Sequence, residues 1–226
     1  ISQLSGETSK PSGKGVADNT ISFNHVYNLM QGIMNDGGAI RIWSGDAVYT
    51  APGNKILNNK IHDVSDASAI DADGYGGVGI YLDNQTGLVD VENNLVYRVS
   101  ESAIFTVHGP TAPNQPNIIK NNILAFARQS MISVVTPYYD GLHSSPTQVF
   151  DITNNLFYFD KSAASSPPFY IQGGCAYPDK FTFPQFMQFA NNLYWRTDGG
   201  FANDAQAFHV QPNASKDRGK NNPCAI

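Results

Sequence analysis

The sequence predicts an all-β chain wound as a solenoid, with equivalent strands of successive repeats stacked in parallel. Three observations predict it. A phrase built on paired asparagines recurs along the chain, apolar residues flank each copy at fixed offsets, and a second apolar phrase with period-two alternation follows each copy.

The first phrase reads "NKILNNKIHDV", "VDVENNLVYRV", "NIIKNNILAFA", "FDITNNLFYFD" and "QFANNLYWRTD", with a weaker opening copy, "TISFNHVYNLM". Its second asparagine falls at Asn24, Asn59, Asn94, Asn122, Asn155 and Asn192, at intervals of 35, 35, 28, 33 and 37 residues. Periods of ~20–50 residues mark solenoids or propeller-like arrays. Three positions before the marker stand Ile21, Ile56, Val91, Ile119, Ile152 and Phe189. Two positions after it stand Val26, Ile61, Val96, Leu124, Phe157 and Tyr194. Short β-branched and aromatic segments bounded by Asn, Gly and Pro read as strands, not helices.

The second phrase reads "AIRIW", "GIYLD", "AIFTV", "MISVV", "PFYIQ" and "AFHVQ". Alignment gives two inward columns. One is Ile40, Ile80, Ile104, Ile132, Phe169 and Phe208; the other is Ile42, Leu82, Thr106, Val134, Ile171 and Val210. Each repeat therefore holds at least two strands. Asparagine suits the bend between them because it tolerates left-handed backbone angles and bonds to local backbone. Asn above Asn can also pass hydrogen bonds along a ladder.

The bulk properties agree. The chain has 226 residues, only 15% of them charged, and its net charge is −5 with no Lys/Arg run. That argues against nucleic acid or an anionic membrane surface as a partner, and no apolar stretch nears the ~20 residues of a membrane helix. One domain is expected over 1–226, with the repeats spanning about 19–212. The opening "ISQLSGETSK" carries no signal peptide and reads like the middle of something, so a trimmed piece of a longer extracellular protein is expected. Cys175 and Cys224 could form one disulfide or be two buried thiols. The longer intervals imply projecting loops at 65–77, 110–116, 136–147, 160–168 and 176–185, where binding and catalysis usually sit.

The I-x-N-N-x-[IVLF] phrases, alternating with "DGGAI" and "GIYLD", resemble the right-handed parallel β-helix proteins of the pectate-lyase-like superfamily. Within it, "NDGGAIRIW", "GVGIYLDNQTG" and "VENNLVYRV" are most similar to secreted bacterial proteins near glycoside hydrolase family 141. The resemblance implies a right-handed helix of about six coils and a carbohydrate-active protein, secreted or periplasmic, acting on a polysaccharide or oligosaccharide. That superfamily also holds lyases, epimerases, esterases and inert fibres.

The outward column of the second strand is Arg41, Tyr81, Phe105, Ser133, Tyr170 and His209, with Trp43, Asp83, Asn84 and His108 around it. On one exposed sheet these would make a sugar-binding surface; stacked aromatics that only stabilise the coil are the plainer alternative. Asp83 ends an apolar strand where an aliphatic residue would be the easy choice, which makes it the first catalytic candidate. A glycosidase needs two carboxyl groups, ~5–5.5 Å or ~6.5–9.5 Å apart. The resemblance nominates Asp36 as partner, with Tyr81, His108, Arg41, Trp43 and Phe105 holding the sugar. Extended geometry opposes that pair, since seven residues span up to ~23 Å against ~4.8 Å between coils. Asp46 and Asp63 are alternative partners, although Asp63 sits beside His62 in a column that also holds Tyr97, Tyr158 and Trp195.

Other clusters are less specific. Asp66, Asp71 and Asp73 line a Gly-rich loop that Ca²⁺ could use, but without EF-hand spacing a loose acidic turn is the better reading, and no cofactor is expected. Tyr138, Tyr139, Asp140 and His143 could wall a cleft. No Gly-x-Ser-x-Gly, Walker, Cys-x-x-Cys or His-Glu-x-x-His motif occurs. Asn84 and Asn213 head glycosylation sequons; a glycan on Asn84 would obstruct a site at Asp83, so Asn84 is expected to be unmodified. A glycoside hydrolase leads these readings, ahead of a polysaccharide lyase or epimerase, which would want more Lys and Arg. A non-catalytic glycan-binding or structural module, able to stack end to end, is the third.

Overall fold

A computed structural model describes residues 2–5, 17–33, 36–43, 53–66, 76–84, 86–107, 109–110, 115–135, 148–159, 169–172, 186–197 and 208–211. Every regular element among them is a strand, numbered β1 to β19 in chain order. Sheet I contains β2 (Thr20–Ser22), β5 (Asn54–Leu57), β8 (Val89–Glu92), β11 (Asn117–Lys120), β14 (Phe150–Thr153) and β17 (Met187–Ala190). Sheet II contains β3 (His25–Leu29), β6 (Lys60–Val64), β9 (Leu95–Val99), β12 (Ile123–Ala125), β15 (Leu156–Phe159) and β18 (Leu193–Arg196). Sheet III contains β1 (Ser2–Ser5), β4 (Gly38–Trp43), β7 (Val78–Asp83), β10 (Ser102–Val107), β13 (Ser130–Val135), β16 (Phe169–Gln172) and β19 (Phe208–Gln211).

All strand pairs are parallel, and the chain visits the three sheets in rotation. Each repeat thus carries three strands. The Asn-Asn phrase is not one strand but two, folded at the asparagines. The first residue of each pair takes the left-handed conformation, with φ of 57° at Asn58, 58° at Asn93, 56° at Asn121, 58° at Asn154 and 55° at Asn191. The second residue builds a ladder. Asn94 donates its backbone N–H (2.9 Å) and its carboxamide (3.0 Å) to the Oδ1 of Asn122. The same double bond joins Asn24 to Asn59, Asn59 to Asn94, Asn122 to Asn155 and Asn155 to Asn192. From Asn59 onward each Nδ2 also reaches back to the preceding repeat, as from Asn122 to the Val91 carbonyl at 2.8 Å. The buried polar groups of the bend are therefore satisfied by one another.

Between the sheets lies a core of stacked side chains. Ile40, Ile80, Ile104, Ile132 and Phe169 occupy one register position of sheet III, and Ile56, Val91, Ile119 and Ile152 one of sheet I. Sheet II contributes Ile61, Val96, Leu124 and Phe157. These columns are the aligned ones, residue for residue. Parallel stacking in register places like on like, so one branched side chain packs on the next.

Candidate functional site

The outward side of sheet III carries the residues singled out in the sequence. Register puts Arg41 beside Tyr81, Tyr81 beside Phe105 and Phe105 beside Ser133, with Trp43 beside Asp83. Asp83 ends β7, where Thr86 closes a tight turn by donating its hydroxyl to the Asp83 carbonyl and to that of Ile42.

The middle of this face is not open, which corrects the expectation of an exposed aromatic column. Tyr81 is 2% exposed and Phe105 0%. Together with Val78 and Val107 they form a second apolar cluster, outside the main core. The Phe105 ring meets Tyr81 edge-on at 5.0 Å, and the Arg41 guanidinium lies over the Tyr81 ring at 4.9 Å. With their surfaces taken up this way, neither ring presents a face to a sugar.

Arg41 organises the charged end of the site. Its Nε donates to Asp83 Oδ2 at 2.9 Å and its Nη2 makes a second, shorter bond to the same oxygen. Asp36 Oδ2 lies 3.7 Å from that same Nη2. The two Oδ2 atoms are therefore no more than about 6 Å apart, an upper bound that admits the ~5–5.5 Å separation of carboxyl pairs in retaining glycosidases. The objection from extended geometry does not hold here. Asp36 precedes the strand at a bend and turns back over Arg41, and Gly38 lets the chain pass close to the sheet: a Cβ there would sit 3.0 Å from that of Tyr81.

The two carboxyl groups have different surroundings. Asp83 is 6% exposed, whereas the Asp36 side chain is half exposed. Burial pushes Asp36 above the usual carboxylate range, and the Asp83 charge adds to this against the opposing pull of Arg41. Tyr81 is also pushed up, mainly by burial and then by Asp83, so its hydroxyl keeps its proton. The Asp83 hydrogen bond and charge raise Arg41 despite burial, which acts the other way.

Trp43 is half-buried in register with Asp83, and Asn84 follows it with a φ of 45°. His108, Asp46, Cys175, Cys224, Asn213 and the side chains of Tyr170 and His209 lie outside the described residues, as do Asp71, Asp73 and the group around Tyr138.

Asp63 belongs to sheet II, not sheet III, and is already engaged. Arg98 binds it through two 2.7 Å hydrogen bonds, and His62 Nδ1 lies 2.6 Å from its Oδ2. Those two partners hold its carboxyl well below the usual range. The His62 ring stacks between Tyr27 (5.4 Å) and Tyr97 (4.6 Å). Tyr27, His62 and Tyr97 thus form an aromatic stack with their faces turned on one another, but Ala125 interrupts the column before Tyr158 and Trp195.

Sequence reasoning missed two features. One is the chain of contacts from His25 through His62 and Asp63 to Arg98; the register column 63/98 could have exposed its last link, but the diagonal reach from His25 to His62 leaves no register signal. The other is Glu101, whose carboxyl is pushed up to about 8 by burial and by Asp66; no local motif marks it. No protein-family model, no curated protein and no solved structure matches this chain.

Proposed function

We propose that the chain is a right-handed parallel β-helix of about six coils, similar to the pectate-lyase-like superfamily near glycoside hydrolase family 141. In this reading it is an extracellular glycoside hydrolase acting on a polysaccharide. One observation carries the proposal: a single guanidinium gathers two carboxyl groups of unlike environment, Asp36 and Asp83, on the outer side of one sheet. Asp36, half exposed and held toward its protonated form, donates its proton to the glycosidic oxygen. The Asp83 carboxylate, bound by Arg41 at Oδ2, attacks the anomeric carbon as that C–O bond breaks. Water then hydrolyses the glycosyl ester, with Asp36 taking the water proton. That upper bound admits the ~5–5.5 Å separation of a retaining enzyme and falls short of the ~6.5–9.5 Å of an inverting one. Tyr81 and Arg41 position Asp83, and Trp43, in register with Asp83, contacts the sugar.

The test is hydrolysis of a polysaccharide panel, read as new reducing ends. Asp36→Asn should lose about 10²–10⁴-fold in rate. Asp83→Asn should lose turnover and recover it with azide, which replaces the missing nucleophile and leaves a glycosyl azide. Wild-type turnover in both variants would refute the assignment.

A second reading rests on the burial of Asp83. An ion pair whose guanidinium lies over the Tyr81 ring can serve as a staple, making the chain a non-catalytic glycan-binding or structural module. Glycan binding without product release would favour it. Appearance of unsaturated uronic products would instead favour a lyase or epimerase, with Arg41 neutralising the substrate carboxylate.

A further inference from the structure

On sheet II, well separated in the fold from the Asp36–Asp83 pair, two imidazoles converge. His25 Nε2 lies 2.7 Å from His62 Nε2. His25 stands in register with Lys60, so its ring crosses diagonally to reach the next strand. It packs at 4.6 Å from Tyr27 and 5.0 Å from His62.

The tautomer of His62 is set from behind. Asp63 Oδ2, at 2.6 Å, accepts a hydrogen bond from Nδ1–H, and Arg98 fixes Asp63 with its own pair of bonds. That leaves the His62 Nε2 lone pair directed at His25. A carboxylate behind an imidazole, fixing which nitrogen is free and raising its basicity, is the arrangement that orients histidines on metal ions. With that tautomer, His25 Nε2–H donates to His62 Nε2 across the 2.7 Å gap.

We propose that His25 and His62 form a two-imidazole site for a borderline divalent cation such as Zn²⁺, Ni²⁺ or Cu²⁺, which binds both Nε2 atoms and clamps β3 to β6 as the His25 proton moves from Nε2 to Nδ1. Nitrogen-rich sites prefer these ions over Mg²⁺ or Ca²⁺. At metal–nitrogen bonds of ~2.0–2.1 Å in a tetrahedral site, the two nitrogens sit about 3.3 Å apart. The pair must therefore open by a few tenths of an ångström. His62 is held by its stack and by Asp63, whereas His25 is exposed on the edge strand of sheet II and can swing.

Charge around the site is mixed. Asp63 is the nearest anion and Arg98 offsets it, while Lys60 beside His25 opposes a cation. Among the described residues no group of three His, Cys, Asp or Glu converges on a metal position. Water must complete the coordination, and affinity in the micromolar range is expected, not that of a closed structural site.

The experiment titrates the full chain with ZnCl₂, NiCl₂ and CuCl₂ by calorimetry, with Cu²⁺ also followed by electron paramagnetic resonance. One equivalent should bind, with nitrogen hyperfine structure from two imidazoles and a rise in Tm. His25→Gln, on an exposed side chain, should abolish that equivalent while leaving the metal-free Tm unchanged. Asp63→Asn should weaken it about 10–100-fold. Failure of all three ions to bind, or binding that survives His25→Gln unchanged, would overturn the proposal. Both outcomes are independent of whether the sheet III site hydrolyses a sugar.

Discussion

Asn94 and Asn122 are joined twice. One Oδ1 of Asn122 accepts both the backbone N–H of Asn94, at 2.9 Å, and its carboxamide, at 3.0 Å. Residues 28 apart in the chain thereby become hydrogen-bonded neighbours, and the link repeats along the bend between sheets I and II. Each asparagine is both donor and acceptor, so loss of one member strands groups on both sides of it.

Asn122→Ala would remove the acceptor for Asn94 and the donor to the Val91 carbonyl, all of them buried. We predict a loss of about 3–5 kcal/mol, since each unsatisfied buried group costs ~1–3 kcal/mol. Asn122→Asp should be worse at neutral pH than in acid, because a carboxylate would face the Asn155 Oδ1 and the Val91 carbonyl with no proton to give. Urea denaturation at two pH values checks both.

Phe23 occupies the left-handed position that Asn fills in the other five copies, with a φ of 57°, and it is 81% exposed. Left-handed backbone costs a residue with a bulky side chain about 1–2 kcal/mol, and here the ring recovers little by burial. Phe23→Asn should therefore stabilise the chain by about 1 kcal/mol. A Tm that falls would contradict this.

Arg41→Met would leave Asp83 buried without its cation, at a cost of about 3 kcal/mol. Adding Asp83→Leu should recover most of that loss, because an apolar pair of similar volume replaces the ions. If the two single losses simply add, the pair is not coupled.

Glu101 ties stability to pH. Its ordinary pKa is 4.5 and its folded value about 8, so between these values the folded chain holds a proton that the unfolded chain has released. Stability is fully present in acid and falls as pH rises through that window, at up to about 1.4 kcal/mol per pH unit. Glu101→Gln should flatten the slope between pH 5 and 8. An unchanged slope would remove Glu101 as the cause.

Much of the scaffold was legible beforehand. Ile56, Val91, Ile119 and Ile152 stack as aligned, and the asparagine ladder runs where one was expected. The bend inside the Asn-Asn phrase was less so: two short strands meeting at a left-handed residue carry the same alternation as one strand with a polar interruption. At the site, Arg41, Tyr81 and Asp83 were legible as neighbours because they share the register of parallel strands. The approach of Asp36 was not, since it depends on how a bend before Gly38 packs against another repeat. Nor was the burial of Tyr81 and Phe105, because alternation tells inward from outward but not outward from exposed.

Sequence alone determined the period, the in-register columns and the residues of the bends, because each repeat must supply its own share of a continuous core and its own polar partners. Tertiary structure alone decided which side chains touch across that framework: Asp36 over Arg41, His25 against His62, Asp63 held by Arg98. Those contacts depend on where flexible side chains and bends settle in three dimensions, and parallel stacking fixes only the positions from which they start.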